Sequence, residues 1–259
     1  MSIRPFSDKL CLIPATLIVV LLTGCVSSQV KLNSDEISRS NLPPQRDKTI
    51  ALIGATGMSG RYILQRALAR GYPIKVLART PEKLQGLESR IEIVQGDARD
   101  PQAIKRLLDG SDVVITALGP VKADGSAARM ISTTATGNVI RAMQDLDVRR
   151  YIIVSGAAVI APGDERNLTG WWMRQLVRLR LGDVLKDKQA EYELVASSGL
   201  NWTVVRCPLI DSQPYTSAPG VSLLTPGSFH LRAGELADFI IREVEAPSYP
   251  QQAPFLYSE

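Results

Sequence analysis

Apolar residues fall along this chain in two alternating textures. Six short runs are almost continuously apolar: Ile50–Ile53, Ile74–Ala78, Ile91–Val94, Val113–Ala117, Tyr151–Val154 and Trp202–Val205. Between them lie longer stretches in which apolar side chains recur at helical spacing, near 60–70, 82–88, 101–109, 127–146 and 170–198. Unbroken Val, Ile and Leu runs suit strands covered on both faces, whereas the longer period is that of amphipathic helices. Asp100-Pro101 marks one helix start, with a side-chain acceptor at the cap and a fixed φ at the first helical position. Strands alternating with helices predict an α/β fold, a doubly wound parallel sheet in a single domain with right-handed crossovers.

The first strand runs directly into Gly54-Ala55-Thr56-Gly57-Met58-Ser59-Gly60, and helical spacing resumes with Tyr62, Ile63, Leu64, Ala67 and Leu68. Each glycine has a steric reason in such a turn. Gly54 lets the chain leave the strand sharply, Gly57 lets backbone approach a pyrophosphate, and Gly60 lets the helix pack on the strand. The helix then opens with free N–H groups and the positive end of its dipole, which favour phosphate. Thr56, Met58 and Ser59 complete the candidate cradle. The competing reading is a glycine-rich turn without a ligand. A strand before it and a helix behind it favour a Rossmann-type dinucleotide site.

In a sheet of this kind the ligand lies outside the carboxyl ends of the strands, so the residues after each strand are the candidates. The second strand ends in Ala78-Arg79-Thr80. An acid usually binds the ribose 2′-hydroxyl of NAD here; Arg79 instead offers a forked pair of donors that fits a 2′-phosphate. NADP(H) is therefore the expected cofactor, against a reading of Arg79 as a solvated surface residue. Asp97 and Ala98 follow the third strand, where a carboxylate can accept from an adenine amino group and a methyl can pack on the ring. The alternative is a turn leading to the Asp100 cap. Leu118 and Gly119 follow the fourth strand, Ser155 ends the fifth, and Cys207-Pro208 leave the sixth. These positions surround the expected nicotinamide end.

The N-terminus reads as an address. Arg4 and Lys9 precede an apolar stretch, Leu10 to Leu22, that closes on Leu22-Thr23-Gly24-Cys25. A positive start, a short apolar core and small residues at the end make a secretory signal peptide, and the core is short for a membrane span. The ending resembles the bacterial lipobox, in which the cysteine is acylated and the chain is cut just before it. The expectation is a signal peptide over 1–24, lipidated Cys25, a tether over 25–47 and a folded domain over 48–259. The tether is rich in Ser, Asn, Gln and Pro and has no apolar period. The domain is expected in the cell envelope, on the periplasmic side of the inner membrane and lipid-anchored to a membrane through Cys25.

Composition narrows the chemistry. Among 259 residues the net charge is only +4, with no basic stripe interleaved with aromatics, so nucleic acid is not an expected partner. One histidine, His230, leaves no His-based metal site, and Cys11, Cys25 and Cys207 have neither pairing nor ligand spacing. His230 and the Cys207 thiol read as structural. Trp171-Trp172-Met173 with Leu176, Val177, Leu179 and interspersed arginines reads as an amphipathic helix. It covers a pocket, touches a membrane surface, or simply packs.

Taken together, Gly54–Gly60, Arg79, Gly96-Asp97, Tyr151–Ser155, Ser198–Arg206 and Leu231–Phe239 resemble the atypical short-chain dehydrogenase/reductases. The closest group is the NAD(P)H-binding, NmrA-like and flavin/biliverdin-reductase-like one, and the resemblance spans about residues 48–245. It implies an NADPH-using oxidoreductase acting on a small-molecule substrate, or a dinucleotide-sensing relative. Classical members use Tyr-x-x-x-Lys as a proton source. Here Lys188 falls at the lysine position, but Val184 stands where the tyrosine would be. Ser155 and Lys188 remain as catalytic candidates, with direct hydride transfer to an electron-poor acceptor such as a flavin or quinone. Lys188 also reads as a ribose ligand or a solvated lysine. An exported domain and a cofactor that does not cross bilayers are in tension. The sequence therefore also admits a non-catalytic sensing or scaffold lipoprotein, or a domain retained inside.

Overall fold

The computed structural model describes residues 45–119, 125, 129–165 and 168–259. The expected signal peptide, Cys25 and residues 26–44 of the expected tether lie outside them. The described chain forms an eight-stranded sheet built from β1 (Ile50–Ile53), β2 (Ile74–Ala78), β3 (Glu92–Gln95), β4 (Val113–Thr116), β5 (Arg150–Gly156), β6 (Asn201–Cys207), β10 (Phe255–Tyr257) and β8 (Gly220–Ser222). Its spatial order is β3-β2-β1-β4-β5-β6-β10-β8, and only the β10–β8 pairing is antiparallel. From the central β1 the chain steps outward to β2 and β3, then returns across β1 to β4, β5 and β6. The connections must diverge there, which opens a crevice at the carboxyl ends of β1 and β4.

Strand parity sorts the core into two layers. Ile50 and Leu52 of β1 face a layer with α1 (Met58–Ala69) and α6 (Ala233–Glu245). Ala51 and Ile53 face the opposite layer, which holds α2 (Pro101–Leu108), α3 (Ile131–Asp145) and α5 (Gly182–Ala196). Both faces of β1 are fully buried, which is why this strand reads as a continuous apolar run. Asp100 caps α2 by accepting from the Gln102 N–H at 2.9 Å, with Pro101 at the first helical position.

Three boundaries differ from the sequence expectation. The stretch expected as a helix over 82–88 is a single 3₁₀ turn, Pro81–Leu84. The stretch expected over 170–198 divides into α4 (Leu168–Arg180) and α5, because Leu181 leaves the helical region and Gly182 offers no side chain to hold the turn. Four short strands, β7 (Leu209–Asp211), β8, β9 (His230–Arg232) and β10, were not foreseen. Each is only three residues long, too short to produce a distinct apolar run. β7 and β9 pair with each other outside the main sheet.

Candidate active site

The glycine loop lies where the chain leaves β1. Gly54 has φ +90°, and a Cβ there would stand 2.6 Å from the Ala117 carbonyl oxygen just beyond β4. Backbone therefore meets backbone across the switch point, and only glycine fits. A Cβ on Gly60 would lie 2.0 Å from the Gly54 carbonyl oxygen, so this glycine sets how closely α1 packs onto the turn. Gly57 is different. It is the N-cap of α1 at φ −75°, and an added Cβ would meet only the Gly54 carbonyl, at 3.3 Å. A side chain there would make one tight backbone contact but would not strain the backbone. α1 has no side-chain cap and no acid in its first turn. The N–H groups of Met58, Ser59 and Gly60 precede the first turn's internal hydrogen bonds and remain available to an anion. Thr56 is half-buried, while Met58 is exposed at the rim.

At the ends of β2 and β3 the chain assembles a cluster that the sequence only partly disclosed. Asp97 accepts from Arg99 at 2.9 Å (Nε) and 2.6 Å (Nη2), while Arg79 approaches the same carboxylate at 4.0 Å. The hydrogen bonds from Arg99 are the main reason the Asp97 carboxyl is held down at about 2. Two guanidiniums gather at one carboxylate, with Thr80 exposed beside them. Arg99 was missed in the sequence; its only signal is its place two residues after Asp97. The Asp97 carboxylate, expected to accept from adenine, is occupied in orienting Arg99. Ala98 is buried, and its carbonyl accepts from Asn138 at 3.1 Å.

The reacting end is built from β4, β5, β6 and α5. Leu118 is half-buried, and Gly119 faces open space. Ser155 is 5% exposed near the end of β5, and its Oγ has no hydrogen-bond partner among the described residues. A buried hydroxyl without a partner is costly and calls for a physical account. Lys188 is buried rather than solvated. Its Nζ donates to Glu191 Oε2 at 2.8 Å and to the Val154 carbonyl at 3.3 Å, the peptide just before Ser155. It therefore reaches the serine's backbone and not its hydroxyl.

Glu191 continues inward as a chain. Thr136 Oγ1 donates to it at 3.2 Å, Thr136 and the Tyr151 hydroxyl are 3.1 Å apart, and Thr116 lies 3.1 Å from the same hydroxyl. Burial raises the pKa of Glu191 and that of Tyr151. The adjacent Asp187 accepts the backbone N–H groups of Ser132 and Thr133 at 2.9 and 2.8 Å, capping α3 from outside and fixing the turn that carries Lys188.

Cys207 is the buried, structural thiol expected from the sequence. Its side chain shares the face of Val205 and lies in the α1/α6 core, where burial raises the thiol pKa. Only its backbone borders the crevice, accepting from the Ala157 N–H at 2.7 Å, with half-buried Pro208 following. The stronger feature of this strand end is Arg206, 1% exposed. It grips Asp164 at 2.7 and 2.8 Å, reaches the Val159 and Ala253 carbonyls, and lies 3.6 Å from the Phe255 ring centroid. This clamp holds the loop after β5, and with it the wall beside Ser155.

A glycine cradle at a sheet switch point, a pair of arginines at the next strand ends and an unsatisfied hydroxyl at the far end define a dinucleotide-binding α/β domain. The NAD(P)H-binding family model matches residues 54–247, and the chain belongs to that family. A curated relative, (4-alkanoyl-5-oxo-2,5-dihydrofuran-3-yl)methyl phosphate reductase of Streptomyces griseus, is 30% identical over 174 residues, covering 66% of this chain and 51% of its own. The chain thus spans about half the length of that relative. Among solved structures, the anaerobilin reductase ChuY of Escherichia coli O157:H7 superposes with a TM-score of 0.69 at 18% identity, over 82% of this chain and 97% of its own. A short-chain dehydrogenase/reductase of Veillonella parvula, solved in complex with NADP, gives 0.67 at 16% identity, over 82% and 94%. At these identities the likeness is one of fold.

Proposed function

We propose that this chain is an NADPH-dependent reductase of a small electron-poor acceptor, such as a flavin or quinone, attached to the cell envelope through an acylated Cys25. The observation that carries the reading is the buried, unpartnered Ser155 Oγ at the end of β5, on the far side of the crevice from the Arg79–Arg99 corner. The glycine loop and the start of α1 hold the pyrophosphate, and the two arginines hold the 2′-phosphate and so prefer NADPH to NADH. Bound NADPH supplies the hydride. Ser155 donates its hydrogen bond to the acceptor oxygen or nitrogen that gains electron density, while Gly119 leaves room for a flat ring. Val184 carries no exchangeable proton, so the proton that completes the reduction comes from solvent. Lys188, held by Glu191, keeps the Val154–Ser155 peptide in place and acts as a positioning residue.

A second reading, a dinucleotide-sensing or scaffold lipoprotein, draws on Val184 and on the engagement of Lys188 inside the core. The two are separated by following NADPH oxidation at 340 nm with a panel of flavins and quinones. The reductase reading expects turnover that falls roughly ten- to a hundredfold in Ser155→Ala, with NADPH affinity unchanged. NADPH binding without turnover on any acceptor supports the sensor.

A further inference from the structure

We propose that α4 seats this domain on an anionic lipid surface beside the mouth of the crevice. Leu168, Trp172, Leu176 and Leu179 succeed one another at steps of four, four and three, and so share one side of the helix, with Trp171 at its edge. They are exposed by 80, 67, 46, 81 and 48%, in the order Leu168, Trp172, Leu176, Leu179, Trp171. Exposed Arg178 and Arg180 flank this apolar strip on its two sides. No Asp or Glu occurs between Leu168 and Arg180. None of the helix's described side chains is fully buried, and the half-buried Val177 is its foothold on the core beneath. Packing inside the domain, one of the sequence readings, leaves this face uncovered.

The face has a specific chemistry. An apolar strip with two tryptophans and flanking arginines matches the interfacial zone of a bilayer. There, indole rings sit at headgroup level and guanidiniums meet lipid phosphates. Charge complementarity selects anionic lipid over a neutral surface. Two more exposed leucines, Leu223 and Leu224, lie beside the chain that precedes the helix, where the Leu224 carbonyl accepts the Glu165 N–H at 2.8 Å.

The position matters to the site. Arg174 donates to the Ala158 carbonyl at 3.0 Å, three residues beyond Ser155, so α4 forms part of the wall behind the reacting end. A domain seated this way brings that wall of the crevice to the bilayer surface. The contact uses none of the residues that hold the dinucleotide and stands whether or not the reductase reading does.

The ten strands, six helices and both apolar clusters of the described residues lie within 45–259, so a 39–259 fragment retains that core and carries no lipid attachment site at Cys25. The test is co-sedimentation of this fragment with vesicles of phosphatidylglycerol and phosphatidylethanolamine, and with pure phosphatidylcholine vesicles. Trp202 is buried in the core, so a tryptophan emission shift reports Trp171 and Trp172. Binding to the anionic vesicles with a blue shift is expected. Trp171→Ser/Trp172→Ser should weaken it at least about tenfold. Arg178→Gln/Arg180→Gln should weaken it roughly thirtyfold on anionic vesicles. Both double variants should keep the wild-type circular dichroism and NADPH affinity. The proposal is overturned if the fragment ignores anionic vesicles, if the variants bind them as the wild type does, or if sedimentation shows the strip buried between two copies in the presence of lipid.

Discussion

Lys188 Nζ lies 2.8 Å from Glu191 Oε2 and 3.3 Å from the carbonyl of Val154, so one turn of α5 grips the peptide next to Ser155. Both partners are buried, and the carboxylate is further held by Thr136. A buried pair of this kind is costly to break from one side, because the remaining partner keeps its desolvation penalty. Lys188→Met and Glu191→Leu should each cost about 3–5 kcal/mol, and the double variant much less than their sum. Chemical denaturation of the four proteins measures the coupling.

The same pair gives a pH signature. Burial holds the Glu191 pKa above its ordinary value of 4.5, so the folded state binds this proton more tightly than the unfolded chain does. The group's contribution to stability is present below about pH 4.5 and is lost as pH rises toward the elevated folded value. Lys188→Met removes the charge that opposes this shift, so its stability should fall more steeply than the wild type's as pH rises above the ordinary value of 4.5. Parallel thermal melts across that range check the slope, and equal slopes count against the pairing.

Cofactor choice is assigned to the Arg79–Asp97–Arg99 corner. Arg79→Ala should remove most of the preference for NADPH over NADH, about ten- to a hundredfold, since a charge-assisted contact contributes roughly 1.5–3 kcal/mol. Arg99→Ala should also reduce it, whereas NADH affinity should scarcely change. Fluorescence titration with both nucleotides decides this. Equal wild-type affinities for the two would contradict the role given to the corner.

Attachment through Cys25 makes an independent prediction. Mass spectrometry of protein extracted from membranes should find a chain that begins at an acylated Cys25, and Cys25→Ser should leave the chain uncut and outside the detergent phase. An intact N-terminus with an unmodified Cys25 would contradict it.

The parts of this fold that were legible in the sequence are those where one physical demand dominates. β1, β2, β4, β5 and β6 are largely buried on two faces, so their apolar runs stand out, and even the half-exposed edge strand β3 keeps a short one; β1 and β2 fall on their expected residues. Gly54 and Gly60 were legible because backbone passes within a Cβ's reach of each. The burial of Lys188 was not legible, since beyond Glu191 on its own helix, which looks charged, it depends on the Val154 carbonyl of β5 and on the packing of α5 against α3. Arg99 resembles any exposed arginine until β2 and β3 lie side by side. The structural, buried thiol of Cys207 was legible from the apolar strand it ends, and its side chain shares the face of Val205. The break at Leu181–Gly182 was hidden because the apolar period continues across it.

The central claim is that the glycine loop holds a dinucleotide, and Gly57 tests it most directly. Gly57 occupies the N-cap of α1 with an ordinary φ of −75°, and aspartate is a favoured cap residue, so Gly57→Asp should leave apo stability close to that of the wild type. Its carboxylate would nevertheless stand where the pyrophosphate is bound. Calorimetric titration of both purified proteins with NADPH is the measurement. The account predicts saturable binding by the wild type and none by a Gly57→Asp protein that melts at nearly the same temperature. No wild-type binding at millimolar NADPH, or undiminished binding by the variant, would contradict it.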